Sequence, residues 1–394
     1  MAVHLLERGS RIRSRREQGG LVATLRHVDV VLVASTLVLT LVGLVMVYSA
    51  TRGIYPADPT YFLKRQIVYA ALGVVVMAVC MFVDYRRLEE WGYVVYGLVV
   101  ASLLAVLAVG RHVSAGTGVA SADSAQRWIG FGPLHLQPSE FGVLAVVVAT
   151  AVYVDRHGGQ LGPKQLAALF GLALVPMLLV YKQPDLGTTI VTVVVFYVLL
   201  VFAGVRGRYL VGIAALGVAA VAAILGLHLL HGYQLQRLES FLHPNQDLGS
   251  SGYELIQAKT AIGAGGLRGA GLFNGQVTNL GFVPVQYADF IFSAIGEQLG
   301  FVGSAAVLGL FAVMVLRIFR ATQKARDTVG RLLCAGCLAF VVFSVFQNVG
   351  MNVGIMPITG IPLPFISYGG SALLAFFAAV GLVANVEIRR HLMR

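Results

Sequence analysis

Charged residues are scarce in this chain, since Asp, Glu, Lys and Arg together make up only 12% of its 394 residues. Apolar residues make up 57%, and the mean hydropathy is +0.80. A soluble domain of this length needs a much more polar surface, so the composition excludes one. Repeated apolar runs of about twenty residues instead predict a polytopic membrane protein.

Cysteine is also scarce, and the three cysteines (Cys80, Cys334 and Cys337) all lie inside apolar runs. This placement favours small buried apolar residues over a metal or redox site. The sequence contains no His-x-x-x-His zinc spacing and no G-x-x-x-x-G-K-[ST] phosphate loop. The glycine-rich stretch Ile262–Gly275 therefore indicates turns and close packing of the backbone.

The apolar runs predict an all-α polytopic membrane protein with about ten transmembrane helices. A basic cytoplasmic segment at 1–27 precedes a single membrane domain at 28–394, and a long outer loop at 232–289 separates helices seven and eight. More than twice as many Lys and Arg residues lie on the inner side of this topology as on the outer side. The positive-inside rule therefore predicts both termini in the cytoplasm. The predicted helices span residues 28–50, 63–83, 91–110, 138–155, 165–181, 187–204, 207–231, 290–317, 331–353 and 365–386.

Two outer loops in the C-terminal half carry further information. The loop at 232–289 is too polar for lipid, and its apolar periodicity predicts short helices ordered against the bundle. The loop at 354–364 holds three prolines. Since non-helical backbone at membrane depth is tolerated only against protein or a water-filled cavity, we expect this loop to line a cavity. No clear internal repeat favours an inverted-repeat transporter.

Asp289 stands where the long polar loop gives way to the eighth apolar run. A carboxylate at the mouth of a membrane helix is partly desolvated, and desolvation makes it a stronger base. Its spacing to Glu297 corresponds to about 12 Å along a helix, which is too far for the carboxylate pair of a glycosidase. A helix N-cap explains an aspartate at this position equally well. The spacing alone leaves both interpretations open.

Acidic and basic residues both gather on the outer side of the predicted bundle. Ionisable groups at helix mouths are costly unless they are paired or used, so this mixture predicts a polar cavity. One carboxylate base together with several cations suits an enzyme that transfers a group from a phosphate-linked donor to an acceptor hydroxyl. The base takes the proton of the hydroxyl, and the cations stabilise the departing pyrophosphate. The run from Gln137 to Glu140 is explained equally well as a helix-capping arrangement.

Six motifs occur in a fixed order along the chain: Arg65-Gln66, Gln126-Arg127-Trp128, Gln137-Pro138-Ser139-Glu140, Gln183-Pro184-Asp185-Leu186-Gly187-Thr188, Asp289-Phe290-Ile291-Phe292, and Pro362 to Ser371. Together they resemble the shape, elongation, division and sporulation family, from about Asp29 to the last helix. The ending Met356–Ser371 is more similar to the elongation member of the family than to the division member.

The resemblance implies a peptidoglycan glycosyltransferase in the bacterial cytoplasmic membrane that polymerises lipid II on the outer face for cell elongation and shape. The GlcNAc 4-hydroxyl of one lipid II would be joined to the anomeric carbon of the growing chain, which releases undecaprenyl pyrophosphate. A class B penicillin-binding protein transpeptidase is the implied partner, and no nucleic acid is expected. Whether a divalent cation such as Mg²⁺ assists stays open.

The resemblance also implies roles for individual residues. The essential aspartate of the family corresponds to Asp289, which we hypothesise to be the base. The family's cavity residues correspond to Arg65, Arg127, Gln137, Glu140 and Asp185. We hypothesise that the two arginines hold phosphate and that Glu140 orders the cavity.

Three positions depart from the family pattern. His135 replaces a usual arginine, Val143 replaces a usual lysine, and Val285 replaces a favoured glutamate. We hypothesise that Lys182 restores one positive charge. These departures leave a non-catalytic scaffold that binds lipid II as one alternative, and a lipid II flippase is the other.

Overall fold

The computed structural model describes residues 27–53, 58–109, 111–112, 126–131, 134–159, 161–226, 237, 240–243 and 251–392. The predicted basic segment at 1–27 therefore falls almost wholly outside the described residues, as does part of the predicted outer loop at 232–289. The helices are α1 (Val30–Thr51), α2 (Tyr61–Phe82), α3 (Leu88–Val109), α4 (Pro138–Arg156), α5 (Pro163–Lys182), α6 (Leu186–Phe202), α7 (Gly207–Gly226), α8 (Ser251–Gly265), α9 (Gln276–Asn279), α10 (Ile291–Lys324), α11 (Thr328–Val353) and α12 (Gly370–Leu392).

Most of these helices have the dimensions of membrane spans. In the part of the chain that the structure describes, eight helices are long and apolar enough to cross a membrane. Helix α6 and residues 207–220 of α7 are shorter apolar helices. The predicted all-α polytopic fold is therefore confirmed, and the chain is a multi-pass membrane protein.

Helices α4, α11 and α12 form the interior of the bundle, where small residues allow close contact between helices. A Cβ at Gly381 of α12 would lie 2.6 Å from the carbonyl oxygen of Met77 in α2. A Cβ at Gly336 of α11 would lie 2.5 Å from the Val147 side chain in α4. Such contacts are typical of membrane helices, which gain van der Waals packing when small residues let their backbones approach.

Two ion pairs mark one end of the bundle. Arg317 pairs with Asp29 at 2.6 Å, and Arg389 pairs with Asp84 at 3.0 Å. We call this the distal end, and we call the opposite end, where Asp289 lies, the site end. Because α1 begins and α12 finishes at the distal end, both described ends of the chain lie on the side away from Asp289.

The first predicted outer loop contains a small antiparallel sheet at the site end. Its strands are β1 (Arg111–His112), β2 (Gln126–Phe131) and β3 (Leu134–Leu136), in the order β1-β2-β3. Ile129 lies opposite Leu136, and Arg111 lies opposite Trp128. Strands this short show too little alternation to be predicted from sequence.

The second predicted outer loop contains α8 and α9, so the predicted short helices are present. The last helix begins at Gly370 rather than at the predicted residue 365. Phe365 has a φ of +64°, which is outside the helical region, and the N–H of Ile366 donates to the Leu363 carbonyl in a turn. The apolar character of Phe365 and Ile366 thus reflects burial in a turn and not helix formation.

Candidate active site

Asp289 lies at the end of a short loop that leads into α10. The helix begins at Ile291, with Phe290 in the N-cap position. Asp289 therefore lies one residue outside the cap, and the N-cap interpretation of Asp289 is wrong. Its side chain is half-buried at the mouth of α10.

Two asparagines one helical turn apart on α11 hold the backbone of Asp289. Asn348 donates from Nδ2 to the Asp289 carbonyl at 2.8 Å, and Asn352 donates from Nδ2 to the same oxygen at 3.3 Å. Asn348 Nδ2 also donates to the Ile361 carbonyl at 2.8 Å. Both asparagine side chains are fully buried. Because satisfied buried polar networks are rigid, the backbone that carries the Asp289 carboxylate is fixed in place.

The segment at 354–369, whose first part (354–364) the sequence predicts to line a cavity, lies directly against the Asp289 loop. The Tyr368 N–H donates to the Tyr287 carbonyl at 2.9 Å. Gly360 has a φ of +75°, and a Cβ at this position would lie 3.4 Å from Asp289 Oδ2. The Asp289 carboxylate therefore faces this segment. The left-handed backbone at Gly360 favours glycine at that position.

Glu140 is buried in the first turn of α4, where the charges of Asp185 and Asp289 both act on it. A cavity of about 10 Å³ beside Glu140 is also lined by Thr188 and Ser344. This volume holds about one water molecule. Within the described residues the buried Ser344 hydroxyl makes no hydrogen bond. Glu140 thus shares a small cavity with Ser344, and it belongs to the same acidic group as Asp289.

Asp185 is the N-cap of α6 and accepts several hydrogen bonds. Its Oδ1 accepts from the Thr188 N–H at 3.1 Å, and its Oδ2 accepts from Thr188 Oγ1 at 3.0 Å. Gln137 Nε2 and Ser139 Oγ donate to the same Oδ2 at 2.9 and 3.0 Å. The buried charge is stabilised by these donors. Asp185 and Gln137 therefore join α4 to α6 at the site end.

Arg65 lies near the start of α2 among aromatic side chains. Its guanidinium carbon is 4.9 Å from the centre of the Tyr61 ring, which is a cation–π distance. Its side chain also hydrogen-bonds to Tyr368. Burial raises the pKa of Tyr368 to about 12 although the Arg65 charge opposes the shift, so this hydroxyl stays protonated at neutral pH. Through Tyr368, Arg65 lies close to the Asp289 loop.

The structure does not bring every predicted residue into this group. Arg127 is on β2 and His135 is on β3, but their side chains lie outside the described residues. Lys182 is the last residue of α5, and its side chain is exposed. The predicted roles of Arg127 and Lys182 stay predictions.

The two valines that depart from the family pattern lie in different surroundings. Val143 is fully buried in α4, whereas Val285 is in the loop before Asp289 with a φ of +49°. A β-branched residue in this left-handed region is strained. Val285 lines a cavity of about 540 Å³ together with Arg52 and Gln286.

Sequence reasoning gave no role to four residues that the structure places around Asp289. Asn348 and Asn352 are four positions apart in the sequence, a spacing that places two side chains on the same face of a helix. Glu254 on α8 is half-buried and interacts with the charges of Asp289 and Arg237. Both Glu254 and Arg237 belong to the predicted outer charged residues, but nothing in their local sequence distinguishes them.

Within the described residues, no group of three or more His, Cys, Asp or Glu side chains is placed to hold a metal ion. A role for a divalent cation stays open.

Comparison with known proteins gives consistent results over most of the chain. Residues 29–392 match the model of the FtsW, RodA and SpoVE family, described as "Cell cycle protein". The chain is 35% identical to the peptidoglycan glycosyltransferase MrdB of Escherichia coli (strain K12), over 93% of this chain and 95% of that protein. It is 36% identical to the probable peptidoglycan glycosyltransferase FtsW of Trichlorobacter lovleyi, over 92% of this chain and 94% of that protein.

A solved structure described as "Structural coordination of polymerization and crosslinking by a peptidoglycan synthase complex" is also similar. It has a TM-score of 0.76 and 31% sequence identity, and the match covers 92% of this chain and 98% of that one. Since the MrdB and FtsW relatives are about equally similar, sequence identity does not assign this chain to one branch.

Proposed function

Because this chain belongs to the FtsW, RodA and SpoVE family, that is, the shape, elongation, division and sporulation family, we propose that it polymerises lipid II into glycan strands. The predicted enzyme class, peptidoglycan glycosyltransferase, is confirmed by the names of its relatives. The observation that carries the substrate proposal is the half-buried Asp289 carboxylate, held on a fixed backbone beside Glu140, Glu254 and the segment at 354–369.

In the proposed reaction, Asp289 is the general base. Its carboxylate takes the proton of the acceptor 4-hydroxyl as the oxygen forms a bond to the anomeric carbon of the donor. The bond from that carbon to the phosphate oxygen breaks, and the electron pair leaves with the lipid pyrophosphate. A positioned base of this kind contributes about 10²–10⁴-fold to the rate. Arg65 and Arg127 are proposed to hold the phosphates, because a guanidinium binds phosphate oxygens in a bidentate manner.

We further propose that the site end faces the outside of the cytoplasmic membrane and that both termini are cytoplasmic. The positive-inside bias of the sequence supports this orientation. It agrees with the fold, in which the two described ends of the chain lie opposite Asp289.

A class B penicillin-binding protein is the proposed partner. The similar solved structure is described as a synthase complex that coordinates polymerisation and crosslinking, which supports a partner of this kind. The role in elongation and cell shape rests on the ending Met356–Ser371 and is likewise a proposal.

Two alternatives predict different behaviour. The apolar side chains of Val143 and Val285, at positions where the family usually has charge, leave open a scaffold that binds lipid II without polymerising it. A flippase would need polar access from both ends of the bundle, and it should keep its activity when Asp289 loses its charge.

The test is a polymerisation assay with the purified partner, whose transpeptidase is blocked, and lipid II as substrate. Glycan strand length on a gel would be compared for the wild type, Asp289→Asn and the control Asp58→Asn. Asp58 is also a carboxylate at the site end, but it pairs with Lys64 at 3.0 Å outside the site. We expect strands from the wild type and Asp58→Asn, and a loss of at least about 100-fold for Asp289→Asn.

Other outcomes separate the alternatives. Strands from Asp289→Asn at the wild-type rate would overturn the assignment of the base. No strands from the wild type, with lipid II binding intact, would favour the scaffold and make Val143 and Val285 the next residues to change.

A further inference from the structure

Helix α8 is held beside Asp289 by a small buried apolar cluster at the site end. Leu255 and Ala258 of α8 pack in this cluster with Phe290 from the Asp289 loop and Ile358 from the segment at 354–369. All four side chains have an exposed fraction of at most 6%. The position of α8 is therefore fixed relative to the loop that carries the proposed base.

This packing brings a second carboxyl close enough to interact with Asp289. Glu254 directly precedes Leu255, and Asp289 directly precedes Phe290, so each carboxyl is the chain neighbour of a cluster member. Arg237 reaches the same place, since its Nη1 donates to the Ile358 carbonyl at 3.4 Å. Glu254 interacts with the charges of both Asp289 and Arg237.

The surroundings of Glu254 make it a group that titrates near neutral pH. Burial, followed by the negative charge of Asp289, raises the pKa of Glu254 to about 7, and Arg237 acts in the opposite direction. Glu254 lies outside the membrane-spanning helices, on α8.

Other charged groups near α8 have separate contacts. Glu297 of α10 accepts from the N–H groups of Val277 and Thr278 at 2.7 and 2.9 Å. Lys259 of α8 packs over Gly354 at the end of α11. Within the described residues, Asp289 and Arg237 are the charged groups that act on Glu254.

From this geometry we propose that Glu254 is a positioning residue for the general base: its ionised carboxylate strengthens Asp289 as a proton acceptor. This inference rests on the proposed function. Like charges in close proximity disfavour joint ionisation, so an ionised Glu254 increases the affinity of Asp289 for a proton. A neutral Glu254 removes this effect and leaves Asp289 a weaker base.

The polymerisation rate should increase as Glu254 loses its proton. Below pH 7 most Glu254 is protonated, and above it most is ionised, so the polymerisation rate should rise with pH through a midpoint near 7. Glu254→Gln mimics the protonated form at every pH. We expect this variant to show no midpoint near pH 7 and to be about three- to tenfold slower than the wild type at pH 8, because its base lacks the neighbouring negative charge.

The first test is a pH–rate profile of lipid II polymerisation between pH 5.5 and 8.5 at saturating substrate. Glu254→Asp should keep a midpoint, and the control Asp58→Asn should keep the wild-type midpoint. Arg237→Gln should move the midpoint to higher pH, and it should have no such effect in a Glu254→Gln background. A midpoint near pH 7 that persists in Glu254→Gln would overturn the proposal.

The second test does not require polymerisation. Infrared difference spectra follow the carboxyl stretch of Glu254, assigned by its loss in Glu254→Gln, as the pH changes. Because coupling is reciprocal, Asp289→Asn should lower the pKa of Glu254. An unchanged titration in Asp289→Asn would overturn the inference even if the chain polymerises lipid II. A lowered pKa in a chain that makes no strands would instead reject the proposed function alone.

Discussion

Asn348 donates its side-chain amide to the backbone carbonyl of Asp289 at 2.8 Å and, with the same nitrogen, to the carbonyl of Ile361 at 2.8 Å. One buried side chain of α11 thereby fixes both the loop that carries the proposed base and the proline-containing segment that faces it. The two segments are 59 and 13 residues away from Asn348 in the chain. The relative position of the base and its cavity wall thus depends on a residue that carries no charge.

Replacing Asn348 with alanine should impair polymerisation more than it impairs folding. The Ile361 carbonyl would lose its donor, which costs about 1–3 kcal/mol, and the Asp289 carbonyl would keep the longer bond from Asn352 at 3.3 Å. We expect a fall in kcat of at least about tenfold, because a small displacement of a base from its working geometry is costly. The measurement is the initial rate of lipid II polymerisation alongside the unfolding midpoint in detergent.

Asn385 offers a matched control for Asn348. Its Nδ2 also bridges two carbonyls, those of Cys80 and Val83, but at the distal end of the bundle. Asn385→Ala should lower the unfolding midpoint by a similar amount and leave the rate per folded molecule unchanged. Equal losses of rate in both variants would show that Asn348 acts through stability alone.

An Asp185→Ala variant can distinguish the predicted substrate-binding role of Asp185 from a purely structural role. Because it accepts from Thr188, Gln137 and Ser139, Asp185→Ala should lower stability by about 2–4 kcal/mol. If Asp185 also shapes the substrate cavity, this variant should bind lipid II more weakly. The measurements are the unfolding midpoint and the affinity for lipid II.

The control for Asp185 is Asp327, the N-cap of α11 at the distal end, which accepts from the Gly330 N–H at 2.6 Å. Asp327→Ala should lower stability without weakening lipid II binding. Should both variants keep full affinity for lipid II, Asp185 would be a structural N-cap and not a substrate-binding residue.

The helices could be predicted because each is encoded by a local apolar run. The start of the last helix was predicted wrongly, because the apolar run begins before the helix does. Phe365 and Ile366 are buried in a turn, so hydropathy alone extends the last helix by five residues. Hydropathy reports burial, and it does not distinguish a buried turn from a buried helix.

The site could be predicted only in part for a related reason. The position of Asp289 at a helix mouth is visible locally, and the resemblance supplied Arg65 and Glu140. Glu254 and Asn348 act through contacts with segments far away in the chain, which no local spacing records. Their roles follow from the packing of α8 and α11 against the Asp289 loop.

The glycine-rich segment after α8 gives a final prediction, since its backbone pairs directly with α10. The Ala270 N–H donates to the Glu297 carbonyl at 2.9 Å, and the Phe301 N–H donates to the Gly266 carbonyl at 2.9 Å. These bonds form where α10 is interrupted at Gly300, whose φ of +65° and ψ of −165° are not helical. A Cβ at Gly265 would lie only 1.9 Å from the carbonyl oxygen of Gly296.

Gly265→Ala should therefore push α8 away from α10. This movement should also disturb the apolar cluster that holds Glu254 near Asp289. Because the obstacle is backbone and cannot rotate aside, we expect the free energy of unfolding to fall by about 3 kcal/mol or more and polymerisation to fall strongly.

Gly263 is the matched control, since it lies two residues earlier in the same helix with no atom within 4 Å of an added Cβ. Gly263→Ala should be neutral or stabilising by up to about 1 kcal/mol, as alanine favours a helix over glycine. Unfolding midpoints that stay unchanged or rise equally in both variants would show that the close approach of the two backbones does not require glycine at position 265.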